Sequence, residues 1–177
     1  MRKISIGTFL AAALIALPTT AAMAELPLGA AAPRFTTGAA LGGRVFSFDL
    51  ANALRQGPVV LYFFPRAFTQ GCTLEANAFA EAMDDFEAAG AQVIGLSADD
   101  IETLQRFSTE ACRDEFAVGR ASPAIVRNYD VALGSGEMSK RTSYVIAQDG
   151  KITLVHSDMD WREHVSQTLA AVRALQR

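Results

Sequence analysis

Six consecutive apolar residues, Val59 to Phe64, end at Pro65, and this run constrains the fold more than any other segment. A strand that is covered on both faces is continuously apolar, whereas a strand with one solvated face alternates. Elsewhere along the chain, short β-type runs alternate with stretches of helical periodicity. The sequence therefore predicts an α/β domain in which helices pack against a central sheet, with 59–64 as its core strand.

The other elements are predicted from periodicity and turn residues. A helix is expected over about 73–89, because apolar side chains recur on one stripe and Gly90 can stop it. A second helix follows Asp99 or Asp100, which can cap it, and carries Cys112 partly buried near its end. Further predictions are strands at 44–48, 92–96, 142–147 and 152–156, short helices at 50–54 and 124–129, and an amphipathic helix at 161–175.

The first 24 residues have the pattern of a secretory signal peptide. Arg2 and Lys3 begin it, an uncharged apolar stretch covers 6–17, and Ala22-Met23-Ala24 forms a small-x-small cleavage site. A membrane anchor is the alternative, but the stretch is shorter than the roughly 20 residues that span a bilayer. We expect export to the periplasm, cleavage after Ala24, no stable membrane association afterwards, and one domain over 25–177.

Charge and histidine content bear on the partners of the expected mature chain. Removing Arg2 and Lys3 from the 16 basic residues leaves 14 against 19 acidic ones, a net charge of −5. The basic residues are scattered, so nucleic acid and anionic membranes are not expected partners. The spacing of His156 and His164 fits no strong metal-ligand pattern. We interpret both histidines as surface residues and predict no metal or other cofactor.

A thiol lies where the core strand gives way to a helix. Cys72 is close to the expected helix start, where unpaired backbone N–H groups and the helix dipole favour a thiolate over a thiol. The thiolate is the nucleophilic form, and the polar lead-in Thr69-Gln70-Gly71 suggests that the sulfur is accessible. Cys72 is therefore a candidate nucleophile, with an ordinary buried core cysteine as the alternative.

The spacing Pro65-x-x-x-Thr69-x-x-Cys72 resembles the active-site motif of the peroxiredoxins, thiol peroxidases with a thioredoxin-like fold. It is particularly similar to their Q subfamily, also called bacterioferritin comigratory proteins, and the resemblance covers about residues 27–175. It implies a central mixed sheet flanked by helices. It also implies that Cys72 is the peroxidatic cysteine, which reduces hydrogen peroxide or an organic hydroperoxide and becomes a sulfenic acid.

The same resemblance implies roles for four further residues. Thr69 is expected to position the sulfur and the peroxide, and Pro65 to shield the sulfur and fix the direction of the loop. Arg141 is expected to bring a guanidinium to the sulfur, with the adjacent Lys140 as the alternative register. Glu75 either orients that arginine or is an exposed helix acid.

Cys112 is the second cysteine of the chain. The resemblance implies that it resolves the sulfenic acid by forming a disulfide, which an external thioredoxin-like dithiol then reduces. The chain departs from one Q-subfamily pattern, in which the resolving cysteine follows the first by five residues, since Asn77 stands there. A one-cysteine cycle and a permanent bridge remain alternatives. The expected protein is a monomer or weak dimer.

Two other functions remain open on the sequence. A thiol–disulfide exchange protein suits the fold and the expected export, but it normally needs Cys-x-x-Cys, where this chain has Cys72-Thr73-Leu74-Glu75. A non-catalytic thioredoxin-fold domain with a structural disulfide is the other alternative.

Overall fold

The computed structural model describes residues 25–176, so the expected signal peptide at 1–24 lies outside the described residues. The described chain forms seven strands and six α-helices. The strands are β1 (Thr36–Leu41), β2 (Arg44–Asp49), β3 (Val59–Phe63), β4 (Gln92–Ser97), β5 (Ala117–Arg120), β6 (Thr142–Ile146) and β7 (Ile152–Ser157). The helices are α1 (Leu50–Leu54), α2 (Gln70–Glu81), α3 (Met83–Ala88), α4 (Ile101–Glu110), α5 (Pro123–Asn128) and α6 (His164–Ala174).

All seven strands join in one mixed sheet, which confirms the predicted fold class. Their spatial order is β2-β1-β5-β4-β3-β6-β7. β3, β4 and β5 are parallel neighbours, whereas the remaining neighbours run antiparallel. The predicted core strand β3 lies between β4 and β6, near the middle of the sheet.

Side chains of β3 alternate between two apolar cores on opposite faces of the sheet. Val60 and Tyr62 join one core with α2, α3, α4 and α6, which we call the cysteine-side core because it contains Cys72 and Cys112. Leu61 and Phe63 join the other core with α1 and α5. Burying one large apolar side chain contributes about 1.5–3 kcal/mol, so the two cores hold the sheet from both sides.

Several element boundaries differ from the sequence-based expectations. The strands β1 and β5 were not predicted, because β1 is short of large apolar residues and β5 has only four residues. The single helix expected over 73–89 is wrong: α2 begins earlier, at Gln70, and a break at Ala82 separates it from α3. The C-terminal helix begins as a 3₁₀ turn at Trp161–Glu163 before α6.

Within residues 25–176, no helix combines the length and apolar character that crossing a membrane requires.

Candidate active site

The sheet topology brings three distant segments together at one edge. β3 ends at Phe63, which pairs with Thr142 at the start of the antiparallel β6. The parallel strand β4 ends nearby, because Leu96 pairs with Phe63. The loop after β3 leads to Cys72, Arg141 directly precedes β6, and Asp99 follows β4. The residues singled out by the sequence are therefore gathered by strand pairing rather than by proximity along the chain.

Cys72 is the third residue of α2, within its first turn. Thr69 is the N-cap and has extended backbone, with φ −75° and ψ 151°. The first N–H groups of a helix have no acceptor within it, so their partial positive charge favours an anionic sulfur here. The side chain of Cys72 is only 2% exposed, however. The expectation that the polar lead-in leaves the sulfur accessible is wrong for this conformation.

The loop before Cys72 is anchored by a carboxylate that follows β4. Asp99 Oδ2 accepts hydrogen bonds from the backbone N–H of Ala67, at 2.8 Å, and from the hydroxyl of Ser97, at 2.7 Å. Next to Ala67, Phe68 has a positive φ of 62° and packs edge-on against Phe107 of α4. A non-glycine residue in this left-handed region is strained by about 1–2 kcal/mol, so the loop is held by its contacts rather than by its own preference.

Arg141 reaches the sulfur and is fixed at several atoms. Its Nη2 donates to Cys72 Sγ at 3.5 Å, and its Nη1 donates to Glu75 Oε2. Its Nε donates to the backbone carbonyl of Met159 at 3.1 Å. Because the side chain is 4% exposed, little solvent screens the attraction between the guanidinium and a thiolate. The neighbouring Lys140 pairs with Glu25 instead, so Arg141 is the cation beside the sulfur.

Glu75 is a buried partner of that arginine and not an exposed helix acid. Its side chain is fully buried, one turn after Cys72 on α2. Burial raises the pKa of Glu75, whereas the guanidinium of Arg141, bonded to Oε2, opposes this shift and favours the carboxylate. The second carboxylate oxygen, Oε1, has no hydrogen-bond partner and lies 3.8 Å from His164 Nδ1. A carboxylate with one strong partner and one unpaired oxygen orients Arg141 without fully neutralising it.

His164 is not a surface residue and His156 is half-buried, which corrects the sequence-based interpretation. His164 is fully buried at the start of α6, and the ring of His156 packs against it at 4.5 Å between centroids. His164 Nε2 donates to the carbonyl of Asp158 at 3.0 Å, because a carbonyl can only accept. Its Nδ1 lies 2.8 Å from the hydroxyl of Ser143. Burial lowers the pKa of His164 to about 4, so at neutral pH Nδ1 accepts from Ser143.

Replacing His164 by glutamine is expected to change how stability depends on pH. An unfolded histidine takes up a proton below about pH 6.5, whereas folded His164 resists protonation down to about pH 4. Its lowered pKa therefore stabilises the fold above about pH 6.5, and this contribution is lost as the pH falls towards 4. The loss is at most about 3 kcal/mol in wild type and absent from H164Q. Chemical denaturation between pH 4 and 8 measures the free energy of unfolding of both proteins. Parallel plots of this free energy against pH for wild type and H164Q would contradict the prediction.

Gly71 is required by the close approach of Arg141 to α2. A Cβ at this position would lie 3.3 Å from Nη2 of Arg141 and 3.9 Å from Cδ1 of Trp161. The guanidinium has little freedom to retreat, because Glu75 and Met159 hold it on other sides. The backbone at Gly71 is ordinary helix, so space rather than φ selects glycine here.

A Gly71→Ala variant is accordingly expected to react with peroxide about tenfold more slowly, because a displacement of a few tenths of an ångström moves the guanidinium off the sulfur. Its unfolding midpoint should change little, since the preference of alanine over glycine in a helix offsets the cost of the close contact. Stopped-flow measurement of the rate constant with hydrogen peroxide provides the test. Gly136→Ala is the matched control, because a Cβ there meets nothing closer than 3.7 Å; equal rates for both variants would contradict the steric argument.

Cys112 lies just beyond the end of α4 and is fully buried, not partly buried as expected. Burial, with a smaller effect of the negative charge on Asp114, raises the pKa of its thiol far above the usual range. Both cysteines are free thiols in this structure. They belong to the same cysteine-side core, so the two sulfurs are on one side of the sheet.

Thr69 and Pro65 take different positions around the site. Thr69 is exposed, and its hydroxyl donates to the carbonyl of Arg66 at 3.0 Å instead of capping α2. This bond leaves the oxygen's own lone pairs available as acceptors. Pro65 is half-buried at the end of β3 and carries no N–H. Asn77, where one subfamily pattern has its resolving cysteine, is half-buried on α2.

The sequence analysis assigned no role in the site to several of its residues. Ser143, Met159 and His164 contact the Arg141–Glu75 pair or each other, but they occupy ordinary positions for a strand, a loop and a helix. The only available signal was His164 among the apolar residues of an amphipathic helix. Across residues 25–176, no group of three or more histidine, cysteine, aspartate or glutamate side chains is arranged to hold a metal ion.

A first-turn thiol that faces a buried arginine, on a mixed sheet flanked by helices, defines a class of proteins: the thiol peroxidases with a thioredoxin-like fold. The model of the AhpC/TSA family matches residues 28–155. The chain belongs to this family, and within it to the Q-type peroxiredoxins, so it is a thiol-dependent peroxidase.

Individual relatives agree with this placement. A provisionally named peroxiredoxin of Mycobacterium tuberculosis H37Rv is 32% identical over 130 residues, which cover 71% of this chain and 84% of the relative. The chloroplastic peroxiredoxin Q of Oryza sativa subsp. japonica is 30% identical over 149 residues, covering 83% and 67%. The crystal structure of peroxidoxin BcpB from M. tuberculosis has a TM-score of 0.76 and 29% identity, covering 85% of this chain and 98% of that one.

Proposed function

We propose that Cys72 is the peroxidatic cysteine of this enzyme and that Arg141, oriented by Glu75, stabilises its thiolate. The contact of 3.5 Å between Arg141 Nη2 and Cys72 Sγ is the observation that carries this proposal. Both side chains are at least 96% buried, and the attraction between opposite charges is strong where water is excluded. The same N–H groups can follow the negative charge onto the oxygens of the peroxide as it reacts.

In the proposed first step, the thiolate attacks the terminal oxygen of the peroxide. An S–O bond forms, the O–O bond breaks, and the departing oxygen leaves as water or an alcohol after taking up a proton. Cys72 becomes a sulfenic acid. Thr69 supports this step through its hydroxyl, which sits at the N-cap of the same helix, and Pro65 limits access of water from the end of β3.

Access to the buried sulfur is proposed to come from the loop before α2. Phe68 is 39% exposed and strained, and Met159, which accepts hydrogen bonds from Arg141, is 52% exposed. A small displacement of these two side chains would admit hydrogen peroxide, and their apolar surfaces suit the organic part of a larger hydroperoxide. The strain at Phe68 lowers the free energy needed for such a displacement.

Cys112 is proposed to resolve the sulfenic acid by forming a disulfide with Cys72, with loss of water. Such a bond requires the two Cα atoms to lie within about 7 Å of each other, and if the cysteines begin farther apart, the first turns of α2 and the turn after α4 are the segments that would rearrange locally. The left-handed residues Arg113 and Asp114, with φ 54° and 63°, directly follow Cys112 and favour rearrangement there. A thioredoxin-like dithiol then returns the enzyme to the reduced state by thiol–disulfide exchange.

Mass spectrometry after one equivalent of hydrogen peroxide tests the two-cysteine cycle. Wild type should show an intramolecular Cys72–Cys112 disulfide, whereas Cys112→Ser should accumulate a sulfenic or over-oxidised Cys72. A Cys112→Ser enzyme that turns over with a dithiol reductant as fast as wild type would assign the cycle to Cys72 alone. Reduction of insulin without peroxide consumption would instead favour a thiol–disulfide exchange protein.

We also propose that residues 1–24 direct export to the periplasm and that the mature enzyme acts there as a monomer or weak dimer without stable membrane association. The basis is the signal-like sequence and the small-x-small site before Glu25. Expression of the full chain, cell fractionation and N-terminal sequencing provide the test. A mature protein that begins at Glu25 in the periplasmic fraction is expected, and an intact Met1 in the cytoplasm would contradict it.

A further inference from the structure

Tyr62, in the middle of β3, has a buried hydroxyl group without a hydrogen-bond partner. Its side chain is 1% exposed, and its oxygen is one of three unpaired buried side-chain N or O atoms in the described part of the chain. Two other buried tyrosines are satisfied: Tyr129 donates to the carbonyl of Pro33 and Tyr144 to the carbonyl of Tyr129, both at 2.7 Å. An unpaired buried hydroxyl is destabilising, so its presence calls for a functional reason.

The ring of Tyr62 lies between the segments that carry the two cysteines. It stacks on Phe79 of α2, with 4.4 Å between centroids, and meets the edge of Phe116 at 6.0 Å. Phe79 follows Cys72 along α2, and Phe116 comes four residues after Cys112. Burial raises the pKa of Tyr62 well above its ordinary value, and a negative charge on Cys112, Glu75 or Cys72 would raise it further. The hydroxyl therefore keeps its proton, while its ring packs against one residue from each of the two cysteine-bearing segments.

The strand beside Tyr62 leaves room for its ring and hydroxyl. Gly95 of β4 pairs with Tyr62, and a Cβ at Gly95 would lie 2.6 Å from the ring carbon Cζ and 2.7 Å from the hydroxyl oxygen. A phenylalanine ring would fill nearly the same space, so a Tyr62→Phe variant removes the hydroxyl with little change in packing.

The proposed cycle needs a donor of this kind at Cys112. Only a thiolate attacks a sulfenic acid efficiently, and burial disfavours the thiolate of Cys112. Asp114 adds a repulsive negative charge on the same turn. A neutral O–H group in the same core stabilises an emerging sulfur anion without adding a second charge.

We propose that the hydroxyl of Tyr62 acts in the resolving step by donating a hydrogen bond to the sulfur of Cys112 as that sulfur attacks the sulfenic acid of Cys72. This inference rests on the proposed function of Cys112. The S–S bond forms, the S–O bond of the sulfenic acid breaks, and the thiol proton of Cys112 ends on the departing oxygen as water. Cys112 is oxidised, the sulfenic sulfur is reduced, and Tyr62 keeps its own proton throughout.

The test is a single-turnover comparison of wild type with Tyr62→Phe. Trp161 is the only tryptophan and lies near Gly71, so its fluorescence reports on the site during rapid mixing with hydrogen peroxide. Quenching with a thiol-blocking reagent and mass spectrometry then follow the Cys72–Cys112 disulfide. We expect oxidation of Cys72 within about twofold of the wild-type rate, disulfide formation slowed about tenfold, and more sulfinic acid in excess peroxide.

Stability separates this role from a structural one. Removing an unpaired hydroxyl should leave the unfolding midpoint of Y62F unchanged or raised. The matched control is Tyr144→Phe, which loses a hydrogen bond and should unfold more easily. This control should nevertheless form the Cys72–Cys112 disulfide at the wild-type rate. A wild-type rate of disulfide formation in Y62F would overturn the inference, as would equal slowing of both steps. A wild-type enzyme that never forms the disulfide would instead show that the proposed role of Cys112 has failed.

Discussion

Replacing Cys72 by serine is expected to lower peroxide consumption at least about a thousandfold, to the background rate. A serine hydroxyl does not ionise near neutral pH, so neither the first-turn N–H groups nor Arg141 can supply a nucleophile. Cys112 is not expected to substitute, because burial strongly raises the pKa of its thiol and Arg141 lies at Cys72 instead. The measurement is peroxide consumption by the reduced variant with a dithiol reductant in excess.

Two controls separate lost chemistry from lost structure. Cys72→Ala avoids placing a polar oxygen in the cysteine-side core and should be equally inactive, while its unfolding midpoint reports any cavity. Cys112→Ser should keep the rate of the first oxidation, since Cys112 is not proposed to touch the peroxide. A folded Cys72→Ser protein that still consumes stoichiometric peroxide would move the nucleophile to Cys112 and end the proposed mechanism.

Replacing Arg141 by leucine should have the second largest effect, a loss of about a hundredfold to a thousandfold in the rate constant for reaction with peroxide. The guanidinium is the cation in contact with Cys72 Sγ, and Nη1 and Nη2 serve Glu75 and the sulfur at once. Lysine offers a single nitrogen, so Arg141→Lys cannot serve both and should lose activity to an intermediate degree. Stopped-flow kinetics measure the rate constant with peroxide, and the ultraviolet absorbance of the thiolate measures how much of Cys72 is ionised.

Stability must be separated from catalysis at this position. Arg141→Leu leaves Glu75 buried without its partner, and an unpaired buried charge can cost about 3–5 kcal/mol. The double variant R141L/E75Q removes both charges, so its stability should recover while its activity stays low. Lys140→Gln is the matched control, because that adjacent cation pairs with Glu25 instead. Recovery of activity together with stability in the double variant would contradict a direct role for the guanidinium.

The fold class, the core strand and the start of α4 could be predicted from the sequence, because they depend on local patterns and composition. The continuous apolar run at 59–64 predicts β3 correctly, since only a strand covered on both faces is built that way. Asp100 caps α4 by accepting from the N–H of Thr103, within the short-range pattern expected of a helix start. β5 could not be predicted, because four residues are too few to show an alternation of apolar and polar side chains.

In the candidate site, the local motif could be predicted from the sequence, but contacts between distant segments could not. The spacing of Pro65, Thr69 and Cys72 is local and visible in the sequence, and Arg141 was found through a resemblance. His164 was misinterpreted because its one local signal, a position among the apolar residues of an amphipathic helix, is weak, whereas the side chains beside its Nδ1, Ser143 and Glu75, come from β6 and α2. The burial of Cys72 was missed for a similar reason, since Arg141, whose guanidinium contacts its sulfur, is distant in sequence.

The sheet separates the two apolar cores, and both cysteines belong to the same one. In the proposed cycle, disulfide formation would therefore disturb side chains on one face of the sheet, while α1, α5 and the β3 residues Leu61 and Phe63 on the opposite face would keep their contacts. The core on that face would preserve the strand pairing during oxidation and reduction. The enzyme would then not need to refold as a whole between turnovers.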